Sequence, residues 1–221
     1  ISGDVESPVT ATAMAIEADG GQAIIVSCDL TGLAGGLLNI AREKFAAYNT
    51  GVDPMKVIIG ATHTHTSIKH TAPNVEKKVE TGFGKDILNE FLPADKQYTQ
   101  LVKADNRDDI LDTGEATLFL ADKIALAAKN AWENRAEAMY ANAFGRAVVG
   151  HCRRVCYDDG SAAMWGDTNS ANFTNLEGGN DSGVELLYLF DGEKKLTGVV
   201  CNLACPAQCV QHRLFVSPDF W

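Results

Sequence analysis

An α/β (α+β) fold, with mixed β-sheets covered by helices, is what this sequence predicts, and three observations predict it. Two pairs of β-rich runs are joined by short turns: residues 9–18 and 22–30 around Asp19-Gly20-Gly21, and VELLYLF with LTGVVCNLAC around DGEKK. Such pairs read as antiparallel hairpins. Between them lies an apolar run, MKVIIGATHTHTS, and patterns with helical spacing precede and follow it. Helices interleaved with strands and hairpins give a mixed sheet with helices on its faces.

Composition narrows the classes. Of 221 residues, 46% are hydrophobic and 22% charged, which excludes disordered, collagen-like and coiled-coil chains. We expect a single domain over residues 1–221. With 19 basic against 29 acidic side chains the net charge is -10, a field that repels phosphate backbones and anionic membranes, so no nucleic-acid partner is expected. No apolar run approaches the about 18–20 residues of a transmembrane segment, and ISGDVESPVT lacks the basic-then-apolar order of a signal peptide. The compartment stays open. Six unpaired thiols suit the cytoplasm, whereas a secreted chain whose signal peptide had been removed would have to pair them. Without a sign of secretion, Asn172-Phe173-Thr174 reads as a chance glycosylation match.

After the first hairpin, Leu37, Leu38, Ile40, Ala41, Phe45 and Tyr48 fall on or near one helix face, and Gly51 and Pro54 close that helix. The run ending in His63 and His65 is continuous enough to predict a strand buried on both faces. Residues 68–112 are polar and punctuated by Gly82, Gly84 and Pro93, which predicts an insertion or long loop over the site, with His70 solvated in it. Asp112 followed by Glu115 reads as a cap. From there Leu118, Ala121, Ile124, Ala125, Ala128 and Trp132 predict an amphipathic helix to about Arg135. A strand is expected near 139–149, and residues 150–183, rich in Gly, Asn, Asp and Ser, read as loop. The last hairpin delivers Cys205-Pro206.

The cysteines recur as C-x3-C at 152 and 156, and as C-x3-C-x3-C at 201, 205 and 209, not as the CxxC pairs of a zinc ribbon. Most read as buried thiols. The chemistry concentrates in Thr62-His63-Thr64-His65. On a strand, residues two apart project to one side, with Cα atoms about 6–7 Å apart. Two such imidazoles can share a metal, or divide a metal and a substrate between them. The plain alternative is a hydrogen-bonded histidine pair.

Taken in order, AIIVSCDLTGL, GATHTHTS, VVGHCRR, GVELLYLFDGEKKLTGVVCNLACPAQ and RLFVSPDFW resemble the N-terminal part of the catalytic domain of the neutral/alkaline non-lysosomal ceramidases and their bacterial relatives. The resemblance implies a zinc-dependent hydrolase that cleaves the amide between a fatty acyl group and a sphingoid base, in lipid metabolism. His63 then corresponds to a Zn2+ ligand and His65 to the neighbouring histidine that faces substrate. Arg153 falls beside the scissile amide, with Arg154 as the register alternative. Cys205 occupies the place of the second histidine ligand, twelve residues before Ser217-Pro218-Asp219. A thiolate can bind zinc there, at about 2.3 Å. We expect Cys205 near His63 because both would end adjacent strands of one sheet.

His212 is an alternative ligand, and Asp219 is expected either to be structural or to support the metal ligands from behind. His151 either lines the pocket or caps a strand. Asp29 reads as a turn former. The family's Glu and Tyr ligands and its nucleophile segment would lie beyond Trp221, which makes this chain the expected N-terminal part of a longer one. HTHTS lacks the Gly-Pro that usually follows, so the substrate implied is a small-molecule or lipid amide and not only a long-chain ceramide. The other reading open at this point is a non-catalytic binding module that keeps the fold and has lost the metal.

Overall fold

The structure, a computed structural model, describes residues 4–33, 36–71, 111–211 and 213–221. His212 and nearly all of the polar 68–112 segment lie outside the described residues. Those described fall into two compact units, Ile1–Glu133 with Cys209–Trp221, and Asn134–Gln208. Among them, no helix is long and apolar enough to cross a membrane.

The first unit is a sheet carrying two helices. Strands β1 (Ala11–Ala18) and β2 (Gly21–Cys28) form the expected hairpin, and Asp19 (φ 50°) and Gly20 (φ 76°) supply the left-handed turn that a tight hairpin needs. Strand β3 (Val57–Ala61) adds parallel to β2, giving the order β1-β2-β3. The register places Ala13 opposite Val26 and Val26 opposite Ile59, with Ala15, Ile24 and Val57 in the next row, so one face is apolar throughout. Helices α1 (Leu37–Ala46) and α2 (Thr113–Glu133) cover that face. Leu37, Ala41 and Phe45, four residues apart, form the buried stripe of α1. Each of the large ones contributes about 1.5–3 kcal/mol by leaving water.

Two readings of this unit need correction. Strand β3 is not buried on both faces: it is an edge of its sheet among the described residues, and Ile58 is 54% exposed. An unbroken apolar run does not distinguish an edge strand from a central one, and here Arg42 supplies the difference, donating from Nε and Nη2 to the Val57 carbonyl at 3.2 and 2.9 Å. On α2 the inward face runs through Thr117, Leu120, Ala121, Ile124, Ala125 and Ala128, while Leu118 points outward. Thr117 was missed because its hydroxyl bonds the Thr71 carbonyl, which lets a polar side chain occupy the stripe. Asp112 accepts from the Gly114 N–H at 2.8 Å, as its capping position predicts.

The second unit holds two antiparallel sheets. Strand β4 (Met139–Arg146) pairs with β8 (Gly183–Phe190), which pairs with β9 (Leu196–Leu203) as the expected hairpin. Residues 150–183 are not simply loop. They contain β5 (Arg154–Tyr157), β6 (Ala162–Met164) and β7 (Phe173–Leu176), ordered β6-β5-β7. Strands of three and four residues between turn formers are too short to show alternation. A further correction concerns topology: β3 and β9 belong to different sheets, so His63 and Cys205 do not end adjacent strands.

Candidate functional site

Strand β3 stops at Ala61, before the histidines, although the Thr62 N–H still donates to the Cys28 carbonyl at 3.0 Å. Beyond it the two-residue alternation continues without a strand partner among the described residues. His63 and His65 are exposed, whereas Thr64 (0%) and Thr66 (5%) are buried. The threonine hydroxyls replace the missing ladder, donating to the Ser217 carbonyl at 3.1 and 2.9 Å, and the Ser217 N–H donates back to the Thr66 carbonyl at 2.9 Å. The Ser217-Pro218-Asp219 segment is thus the surface that holds the histidine strip. Asp219, with φ 66°, accepts from the Cys209 and Val210 N–H groups at 3.0 and 2.8 Å, a structural role as expected.

The two rings meet edge to face, with centroids 4.9 Å apart and Nε2 atoms at 3.2 Å. His63 lies in the left-handed region (φ 65°), a conformation that costs a non-glycine residue energy and persists only where the surroundings enforce it. Its Nδ1 lies 2.6 Å from the Thr31 carbonyl. A carbonyl only accepts, so Nδ1 carries the proton, and in the neutral ring Nε2 keeps its lone pair. The shared projection of the pair therefore comes from this turn and the threonine clamp, not from strand geometry.

This posture fits a metal ligand, since ligating histidines donate their other ring N–H to a carbonyl or carboxylate. The Nε2 separation of 3.2 Å is near the roughly 3.3 Å between two nitrogens on one tetrahedral zinc. Among the described residues no group of three or more His, Cys, Asp or Glu is arranged to hold a metal ion, so the pair is an incomplete donor set.

His70 corrects a further expectation: it is buried at 9% exposure, with Nδ1 3.3 Å from the Ile68 carbonyl and Nε2 without a partner among the described residues. Asp29 ends β2 as a turn former does, accepting from the Thr10 N–H and hydroxyl at 2.9 Å each. Of the six thiols only Cys28 is buried, and burial, with the Asp29 charge second, pushes it up to about 12. The remaining five, Cys205 included, are half-buried or exposed, against the expectation of buried thiols.

In the second unit the structure separates the two arginines. Arg154, in β5, pairs with Glu177 at 2.9 Å. Arg153 instead stacks its guanidinium over Trp165, 4.7 Å from the ring centroid, and donates to Gln208 Oε1 at 2.5 Å. No carboxylate among the described residues pairs with Arg153. Beside it His151 and Cys152 line a cavity of about 210 Å³ with Gly150 and Asn180. Cys205 is half-buried past the end of β9, its Sγ 3.7 Å from the Pro206 carbonyl.

Sequence reasoning passed over Thr31, Thr64, Thr66 and Ser217, which carry the geometry of the strip. Threonine at alternate positions between exposed histidines was the available signal.

No protein-family model matches the chain, and no curated protein matches it in sequence. Among solved structures it is similar to a ceramidase complexed with C2, with a TM-score of 0.56 and 14% identity over 97% of this chain and 30% of that one. It also aligns with neutral ceramidase from Pseudomonas aeruginosa, with a TM-score of 0.47 and 14% identity over 90% of this chain and 26% of that one. The chain thus spans under a third of the length of the ceramidases it matches. The fold is a ceramidase-like mixed α+β fold.

Proposed function

We propose that this chain carries part of the active site of a ceramidase-like hydrolase that cleaves an N-acyl amide, with zinc as cofactor and His63 as a ligand. The observation that carries the reading is the His63 ring, oriented by a backbone carbonyl and presenting its lone pair beside His65 at an exposed position. Zinc at such a site supplies Lewis-acid polarisation of the scissile carbonyl. His65 faces substrate and donates to its oxygen. Cys205 enters as second ligand from the sequence resemblance. Arg153, held flat by Trp165 and with no carboxylate partner among the described residues, orients the amide as the sequence resemblance implies. The substrate is a small-molecule or lipid amide, and the remaining ligands belong to further chain, as the 30% coverage of the ceramidase suggests.

The test is zinc content and hydrolysis of N-acylsphingosines and short-chain N-acyl amines by the protein from the full reading frame, beside His63→Ala, His65→Ala and Cys205→Ala. Stoichiometric zinc and hydrolysis, both lost in His63→Ala and zinc alone retained in His65→Ala, support the reading. Undiminished zinc and turnover in His63→Ala refute it.

A further inference from the structure

We infer that Thr31 is a positioning residue of the histidine site: its carbonyl sets the His63 tautomer, and its hydroxyl locks that carbonyl in place. The first half rests on the 2.6 Å contact between His63 Nδ1 and the Thr31 carbonyl. The second rests on the Thr31 hydroxyl, which donates to the Thr64 carbonyl at 2.8 Å. One residue therefore grips the strip at two successive positions, through the His63 ring and through the Thr64 main chain.

Thr31 can do this because its own segment is pinned. Asp29, two residues earlier, is held by Thr10 through its carboxylate, and its carbonyl accepts from the Ser67 hydroxyl at 2.6 Å. The chain from Cys28 to Thr31 is thus stitched to the strip at Thr62, Thr64 and Ser67, and the left-handed His63 backbone lies between the first two of these ties. A strained residue needs such restraint from both directions.

The tautomers then follow in sequence. The Thr31 carbonyl demands a proton on His63 Nδ1, so the neutral ring offers only a lone pair at Nε2. The His65 Nε2 at 3.2 Å must be the donor in that contact, and His65 carries its proton there. Without the Thr31 hydroxyl the carbonyl is released, and His63 is free to protonate Nε2, where a metal would bind. The consequence for zinc rests on the reading proposed above. The tautomer assignment does not.

The experiment labels the histidines of the protein from the full reading frame with nitrogen-15 and reads their tautomers by long-range proton–nitrogen correlation. The zinc affinity of the same samples is measured by competition with a chromophoric chelator. We expect His63 as the Nδ1–H form and His65 as the Nε2–H form. Thr31→Val is expected to mix the His63 tautomers and weaken zinc roughly 10-fold, the lower end for loss of a ligand's supporting hydrogen bond. Thr31→Ser restores both. Thr31→Ala makes the same deletion should the valine not fold. A His63 that is Nε2–H in the unaltered chain overturns the inference, and so does a Thr31→Val or Thr31→Ala spectrum unchanged from it. A purely structural role would shift the urea midpoint and leave the tautomers alone. A chain that binds no zinc while showing the expected tautomers removes support for the metal reading and leaves the assignment of Thr31 standing.

Discussion

Removing both threonine hydroxyls beneath the histidines should cost more than the sum of removing each. Thr64 and Thr66 donate to one acceptor, the Ser217 carbonyl, at 3.1 and 2.9 Å, and Ser217 is 3% exposed. Valine replaces threonine with little change of volume, so each single substitution takes one hydroxyl from the Ser217 carbonyl, worth about 1 kcal/mol, and with it the 3.1 Å contact between the two hydroxyls, while the other hydroxyl still satisfies the carbonyl. The double substitution leaves a buried acceptor without either hydroxyl, which adds about 1–3 kcal/mol and brings the total to about 3–5 kcal/mol. For a chain of this size that lowers the melting temperature by about 6 °C or more, against about 2–4 °C for each single change. Urea unfolding followed by the fluorescence of Trp132, which is 5% exposed in the same unit, measures all four proteins in one cycle. A double effect equal to the sum within about 0.5 kcal/mol would refute the shared-acceptor argument.

Three further outcomes follow from other contacts. Cys28 is raised in the folded state from 9.0 to about 12 by burial, so its neutral form stabilises the fold fully below pH 9. Since the unfolded thiol loses its proton first, that stability declines as pH rises from 9 toward 12. Alkaline unfolding that sets in earlier for the native protein than for Cys28→Ala checks the sign. Gly150→Ala would put a Cβ 2.6 Å from the Ala204 carbonyl oxygen and 2.8 Å from Asn180 Nδ2. A loss of about 1–3 kcal/mol in thermal unfolding is expected, and an unchanged melting temperature would show that this approach relaxes freely. On the hydrolase reading proposed above, Arg153→Lys in the protein from the full reading frame should lower amide hydrolysis about tenfold, because lysine lacks the planar stack on Trp165. Arg154→Lys, which alters only the pair with Glu177, should leave it within about twofold. Equal effects of the two substitutions in a rate assay would sink the distinction.

Much of the framework was legible before any coordinates. Asp19-Gly20 and the DGEKK turn marked both hairpins because turns are chosen by a few residues with special backbone freedom. The long helix was legible because Ala121, Ile124, Ala125 and Ala128 repeat with helical spacing over many residues. Strands β5 to β7 were not, being too short to carry a period. The buried His70 was hidden for another reason: polarity along the chain reports composition, not what folds over a side chain.

The site divides in the same way. By itself the sequence determined that two histidines lie two residues apart just past an apolar strand, and that a cysteine and two arginines follow downstream. These are local facts, set by residue identity and spacing. Only the tertiary structure decided that the rings meet through a left-handed His63, that Thr31 selects the tautomer, and that Ser217 anchors the strip from 151 and 153 residues away in sequence. It also decided that Arg154 is committed to Glu177 while Arg153 is not. Hydrogen bonds between distant segments form only when packing brings them together, and no periodicity along the chain records which segments those will be.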